Sequence, residues 1–264
     1  MLELYTHPMS PCAQKVRIVL AEKDLPWVKR HVELSQKENL REEYLKLNPL
    51  GVVPTLVHDG RPVIESNVIC EYLEDIHPTP SLKPKSHYEV ADMRLWMKHV
   101  DTKLHPSCGA LQWPLVMRPA LMEKTEEERR ALLEKVPEKP RRERQKRLVE
   151  FGLDAPDVVD AVHVYRKTIL HMEEMLKAHL WVVSDTFSLA DASLAPYFQT
   201  ILQFGWTEMY EDCPRVADWF ERCRARHSYE TSVACDFPPE TMADLHAKGE
   251  QALHKIREHM NALK

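Results

Sequence analysis

Three short stretches near the start of the chain hold residue types able to work as one site. The first is Ser10-Pro11-Cys12-Ala13. A serine followed by a proline opens a helix well. The hydroxyl accepts a free backbone N–H, and proline fits the first helical position because the N–H it lacks has no partner there. A helix start carries about half a positive charge, so an anion, a thiolate included, is favoured against it. The second stretch is Gly51-Val52-Val53-Pro54-Thr55. Pro54 opens a strand between two turns, and Val53-Pro54 is a candidate cis bond. A cis bond there would present the Val53 N–H and C=O to an extended peptide. The third is Glu65-Ser66, at the start of another helix. The Ser66 hydroxyl and the first free N–H groups suit a carboxylate, and Glu65 suits an ammonium beside it.

A thiol site, a strand-like peptide edge and an adjacent carboxylate-plus-ammonium site together describe glutathione. The energetics are within reach. An ordinary thiol titrates near ~8.5, and holding it as thiolate at neutral pH needs a fall of roughly two units, about 2.7 kcal/mol. A helix N-terminus contributes ~0.3–1 kcal/mol, up to ~2 when partly buried. A hydrogen bond to a charged sulfur adds ~1.5–3 kcal/mol. Together these suffice, which makes the Ser10 hydroxyl the expected donor to a bound thiolate; its bland role is a plain N-cap. Cys12 lies in the same first helical turn, where its own pKa should fall. It reads as a nucleophile or resolving thiol, or else as a small apolar residue facing the sheet. Gln36 or Lys37, in the loop after the second strand, can meet the glycyl carboxylate. Val53, Pro54, Glu65 and Ser66 complete the expected contacts.

The elements that must position these groups follow from spacing. Residues 2–5 alternate as a strand, and a helix follows from Pro11 to about Lys23. Trp27 to Leu34 makes a second strand, and Leu40 to Leu47 a short helix. Pro54–His58 and Pro62–Glu65 form a hairpin across Asp59-Gly60, a strong turn pair. Ser66 then caps a helix carrying Val68, Ile69, Tyr72 and Leu73. The order β-α-β-α-β-β-α over residues 1–77 is an α/β unit. Residues 78–87 are proline-rich and read as a linker. Residues 88–264 show only helical periodicity, with helices near 88–105, 157–179, 189–203, 214–226 and 240–263. The last repeats Met242, Leu245, Gly249, Leu253, Ile256, Met260 and Leu263 on one face. A stretch at about 115–156 is crowded with Glu, Lys and Arg and reads as a solvated helical excursion.

Composition removes several classes. Only six residues in 264 are glycine, against an average near ~7%, and their positions allow no dinucleotide-binding turn, P-loop or nucleophile elbow of the standard kind. The six cysteines form no C-x-x-C pair and read as reduced cytoplasmic thiols. The fourteen histidines show no ligand spacing, so no metal is expected. A net charge of −5 offers no field for nucleic acid. No apolar run is long enough to span a membrane, and no signal peptide is visible at the start.

The first unit resembles the thioredoxin-like domain of cytosolic glutathione S-transferases. The motifs are S-P-C-A-Q-K-V-R at 10–17, N-P-L-G-V-V-P-T-L at 48–56 and E-S-N-V-I-C-E-Y-L at 65–73. Phe187-Ser188-Leu189-Ala190-Asp191 resembles that family's capping segment in the helical domain, with Ser188 and Asp191 as a capping box. The serine-then-cysteine tip is similar to reductive dehalogenases of the family. Residues 66–75 and the charged insertion are similar to its bacterial β-aryl-etherase branch. The resemblance implies an α/β thioredoxin-like N-terminal domain, an all-α C-terminal domain, a homodimer and glutathione as co-substrate. It implies transfer to a small hydrophobic, aromatic electrophile, and an acidic residue, Asp101, facing the partner subunit's glutathione; the alternative for Asp101 is a pair with His105. Met9, Cys108, Trp113, Met117, Phe204 and Trp206 are candidate walls for the second substrate. Two other functions stay open: a glutathione-dependent disulfide reductase or reductive dehalogenase using Cys12, and a non-catalytic interaction protein of the same fold.

Overall fold

The alternation in β1 (Leu2–Thr6) turns Leu2, Leu4 and Thr6 to the buried side. In the computed structural model, which describes residues 1–261, this strand is central in a four-stranded sheet of order β2-β1-β3-β4. The helix α1 (Pro11–Glu22) returns the chain so that β2 (Trp27–His31) runs parallel to β1, in register from Leu2↔Trp27 to Thr6↔His31. β3 (Thr55–His58) lies antiparallel on the other side of β1, and β4 (Arg61–Val63) pairs with β3. Asp59 and Gly60 both take positive φ, 48° and 80°, the left-handed pair that a two-residue hairpin requires.

β2 is shorter than its apolar pattern suggests. Val32 still donates to the Thr6 carbonyl, but the next N–H, of Glu33, goes to the Glu38 side chain and takes the chain out of the sheet. The expected helix at 40–47 is a 3-10 turn, Glu38–Leu40, followed by one α-turn, α2 (Glu42–Leu45). Ser66 does not cap the next helix. It is the first residue of α3 (Ser66–Ile76), and Glu65 holds the N-cap position at φ 69° without a side-chain cap bond.

The helical part opens with α4 (His87–His99). The expected end near His105 is absent; Val100–Leu104 widens to π geometry and the chain continues as α5 (His105–Val116). The charged segment folds into α6 (Arg118–Met122), α7 (Glu126–Glu134) and α8 (Lys139–Phe151). It is solvated on one side only, because Leu121, Leu133, Val136 and Leu148 are buried. Then come α9 (Pro156–Met175), α10 (Leu189–Gln203), α11 (Pro214–Arg224), the short α12 (His227–Ser232) and α13 (Pro239–Asn261). Leu263 of the expected terminal stripe lies outside the described residues. α13 packs its stripe on the bundle. A Cβ on Gly249 would lie 1.9 Å from the Phe204 carbonyl oxygen, so only glycine permits that approach.

One apolar core runs through both parts, from Leu4, Val16 and Leu56 to Ile169, Phe198 and Trp219. α1 joins the two parts: Val16 and Leu20 share the core with Leu4 and Leu56 of the sheet, and the helix packs on α3, α10 and α12. Among the described residues no helix is long and apolar enough to cross a membrane.

Candidate active site

Strand directions gather the expected residues. β1 and β2 are parallel, β3 runs antiparallel to β1 and β4 antiparallel to β3, and Tyr5 faces Thr55 while Leu56 faces Val63. The loop leaving β1 (Ser10), the loop leaving β2 (Gln36, Lys37), the loop entering β3 (Val53, Pro54) and the loop leaving β4 (Glu65, Ser66) therefore all lie at one end of the sheet. That end carries the N-termini of α1 and α3, whose free N–H groups favour anions.

Ser10 is the N-cap of α1, with extended backbone, and its Oγ accepts the Ala13 N–H at 3.3 Å. A hydroxyl has one proton to give besides the pairs it accepts with. Among the described residues that proton has no acceptor, although Ser10 is buried.

Cys12 is two residues further on, and it does not face the sheet as a small apolar residue. Its Sγ lies 3.4 Å from His105 Nδ1 and 3.6 Å from the Tyr197 hydroxyl, both contributed by the helical part. Burial alone would push this thiol up, but the His105 imidazole and Lys15 ammonium override it and bring it to about 6. Lys15 lies one turn along α1, is fully buried, and donates to Asp101 at 3.0 Å and Asn67 at 3.2 Å. Burial would lower this ammonium; Cys12 and Asp101 hold it above the ordinary lysine value. Burial, then Cys12, drive the Tyr197 phenol well upward, so it keeps its proton and donates it to the sulfur. Asp101 thus pairs with Lys15 and not with His105. Asp101 lies within the π segment and His105 directly follows it, and such turns are frequent at functional sites.

The Val53-Pro54 bond is cis. The preceding turn is pinned: the Tyr44 hydroxyl and Asn48 Nδ2 both donate to the Val52 carbonyl, at 2.6 and 2.9 Å. Glu65 is exposed in a backbone conformation rare for a non-glycine residue, and such outliers concentrate at functional sites. Ser66 is buried beside it. Gln36 is exposed; Lys37 is half-buried, with positive φ and Nζ 5.9 Å from the centre of the Trp113 ring. Both border a cavity of about 390 Å³ between this loop and α5–α7. Of the candidate walls, Cys108, Phe204 and Trp206 are core side chains with no open face. Met9, Trp113 and Met117 are half-buried.

Spacing along the chain missed His105, Tyr197 and a further cluster. His105 is 93 residues from Cys12 and Tyr197 is 185 away, so no local pattern joins them. Lys15 alone was legible, at i+3 from Cys12 on one helix face. His7, His31 and Glu33 bring ligand atoms within 4.8 Å of one another across the β1–β2 pair. His7 Nδ1 accepts the Met9 N–H, so the proton of the neutral ring sits on Nε2, the atom facing Glu33. A metal-bound imidazole needs the opposite tautomer, so this cluster is a polar brace of the loop that carries Ser10.

A small mixed sheet with helix tips at one end, followed by an all-helical part sharing its core, defines the thioredoxin-like plus all-α architecture of glutathione transferases. The chain matches two models of that family: glutathione S-transferase N-terminal domain over residues 4–81 and C-terminal domain over residues 150–227. It is 29% identical over 231 residues to protein LigF of Sphingobium sp. strain SYK-6, spanning 85% of this chain and 90% of that one. The crystal structure of β-etherase LigF superposes with a TM-score of 0.80 at 27% identity, over 88% of this chain and 98% of that one. A probable glutathione S-transferase of Oryza sativa subsp. japonica is 40% identical over 120 residues, 42% of this chain and 50% of that protein. The chain belongs to the glutathione S-transferase family and is an enzyme of the glutathione transferase class, with glutathione as co-substrate.

Proposed function

We propose that the protein binds glutathione along the loop end of the sheet, holds its sulfur as thiolate at the start of α1, and transfers it to a hydrophobic aromatic electrophile. The observation that carries this is the unspent Ser10 proton: the hydroxyl already accepts from Ala13 and is free to donate to a sulfur placed at the helix tip. Val53 and Pro54 meet the peptide backbone, Glu65 the ammonium and Ser66 the γ-glutamyl carboxylate, with Gln36 or Lys37 at the glycyl end. The unusual Glu65 backbone supports its role as a ligand contact. In the transfer step the thiolate forms a C–S bond at the electrophilic carbon. The carbon's bond to its leaving group breaks, and the leaving group departs with the electron pair and is protonated by water. Similarity to a β-etherase supports an aryl ether as the electrophile, with an aryl oxide leaving. The half-buried Met9 and Trp113 are the walls proposed for the second substrate. Domains 1–77 and 88–264, joined by 78–87, divide these tasks.

A second reading has its own support in the lowered Cys12 thiol. The Cys12 thiolate would attack the glutathione sulfur of a mixed disulfide, forming a Cys12–glutathione disulfide and releasing the other partner as a thiolate. The thiolate of a second glutathione would then attack that bond, freeing Cys12 and leaving as glutathione disulfide. A homodimer is supported by Val68 on α3 and Leu95 on α4, both exposed, on helices tied by Arg94–Glu71. Six free cysteines support a reducing, cytoplasmic setting.

Calorimetric titration with glutathione, then turnover on a chloro-dinitro arene, a β-aryl ether, a chlorinated hydroquinone and a mixed disulfide, tests these readings. Thioether products from the arene or the ether support the first. Oxidised glutathione or turnover of the disulfide supports the second. No glutathione binding would remove both and leave an interaction protein.

A further inference from the structure

The insertion α6–α8 lies almost wholly between the residues matched by the two family models. One of its side chains crosses to the first domain: Arg141 Nη2 donates to the Leu50 carbonyl at 2.9 Å. Nothing local recommends an arginine there. It stands in the first turn of α8, where the helix dipole disfavours a cation. It is half-buried, and burial holds its pKa below the ordinary arginine value. The cations around it are paired, Arg142 and Lys146 with Glu134 and Arg147 with Asp157. Arg141 has no carboxylate partner among the described residues, and its buried Nε has no acceptor. What the guanidinium holds is the Leu50 carbonyl.

Leu50 begins a row. The next two carbonyls are also taken by side chains, that of Gly51 by Asn39 Nδ2 at 2.8 Å and that of Val52 by Tyr44 and Asn48. Gly51 has φ 59°, and a Cβ there would meet Leu40 Cδ2 at 2.8 Å. The row stops at Val53. That residue is buried, yet among the described residues neither its N–H nor its C=O has a partner. Buried backbone groups are seldom left so, and a peptide laid along the loop would satisfy both. Fixed carbonyls thus lead up to free groups, and the first of the fixed ones is held by Arg141 alone.

We propose that Arg141 is a positioning residue for glutathione: it anchors the loop entering β3 to the helical part, and so sets the Val53 N–H and C=O where the cysteinyl backbone of the tripeptide takes them. The inference rests on the proposed glutathione site and adds that the insertion sets the affinity of that site. A loop without its anchor must be ordered when the peptide binds, and that ordering is subtracted from affinity. Arg141 acts through the loop and not on the sulfur, so it governs binding and not the transfer step.

The test compares the parent with Arg141→Met and Arg141→Lys. Each full chain is titrated calorimetrically with glutathione and with γ-glutamylcysteine, and its turnover of the chloro-dinitro arene is measured. Arg141→Met is expected to weaken both peptides about tenfold, and to raise KM for glutathione as much while kcat stays within about twofold of the parent. Arg141→Lys, whose ammonium still donates to a carbonyl, is expected to recover most of the loss. Undiminished binding in Arg141→Met would overturn the inference. So would a loss seen with glutathione and absent with γ-glutamylcysteine, which would make Arg141 a direct contact of the glycyl carboxylate. So would a fall in kcat with KM unchanged. Should Arg141→Met fail to fold, hydrogen exchange in the parent decides. Glutathione is then expected to slow the amides of residues 51–53 and 141–143 together, and protection of the loop without α8 would overturn the inference. A parent that binds no glutathione would remove the proposed function and this inference with it; a parent that binds it as tightly as Arg141→Met does would remove the inference alone.

Discussion

Among the described residues, two helices begin with a serine whose side chain accepts a helix N–H, and they are finished differently. At α10 every group is spent. Asp191 Oδ2 accepts the Ser188 N–H and hydroxyl, each at 3.0 Å, and Oδ1 accepts Val182 N–H and Trp219 Nε1–H at 3.0 and 2.9 Å. Ser188 and Asp191 are sealed in the core. At α1, Ser10 accepts from Ala13 and among the described residues gives its proton to nothing, while two residues later a thiol is drawn toward the thiolate by an imidazole and an ammonium. A closed cap holds the fold. An open cap at a sheet end costs little stability and leaves a donor for a ligand.

The comparison can be broken at its closed end first. Asp191→Ala strands three N–H donors in the core and should cost about 3–5 kcal/mol in denaturant unfolding, while the folded fraction keeps its turnover per molecule. Ser10→Ala inverts that pattern. It should lower turnover with glutathione roughly ten- to a hundredfold, from a lost charge-assisted bond of ~1.5–3 kcal/mol, yet shift stability by only about 1 kcal/mol. Equal losses of activity in the two variants would erase the distinction between the caps.

Cys12 sharpens the open end. Its alkylation by iodoacetamide should rise with pH about a midpoint near 6, and His105→Ala should move that midpoint up toward the ordinary thiol range. The folded value lies below the unfolded one. Between about pH 6 and the unfolded thiol value near ~8.5 the unfolded chain binds more protons, so stability rises with pH across that window and is lost as pH falls through 6. Cys12→Ser should flatten this slope. The smallest effect is expected of Ser188→Ala, about 1 kcal/mol in stability with no change in the pH profile of turnover.

Local signals served well where the chain makes its own structure. Ser10-Pro11 and Ser188…Asp191 name their caps, Asp59-Gly60 names its hairpin, and the alternation in β1 names its buried face. They failed where distant segments decide. The end of β2 depends on where Glu33 sends one N–H. The helix at 88–105 continues through a π segment into α5, which packs on α9. The surroundings of Cys12 come from His105 and Tyr197, which only the packing of α1 against α5 and α10 supplies. The charged segment hid buried leucines behind its lysines and glutamates, so its cavity was invisible to composition.

The central claim is that the tip of α1 keeps a glutathione sulfur ionised. The direct measurement is the ultraviolet thiolate absorbance of bound glutathione against pH, taken as the difference with and without glutathione in the Cys12→Ser protein, whose five remaining thiols burial holds above the ordinary range, with and without Ser10→Ala. The account predicts a bound thiol titrating roughly two units below its free value of about 8.5, returning most of the way in the Ser10→Ala variant. A bound thiol that titrates as it does free in solution, or one indifferent to Ser10, would contradict it.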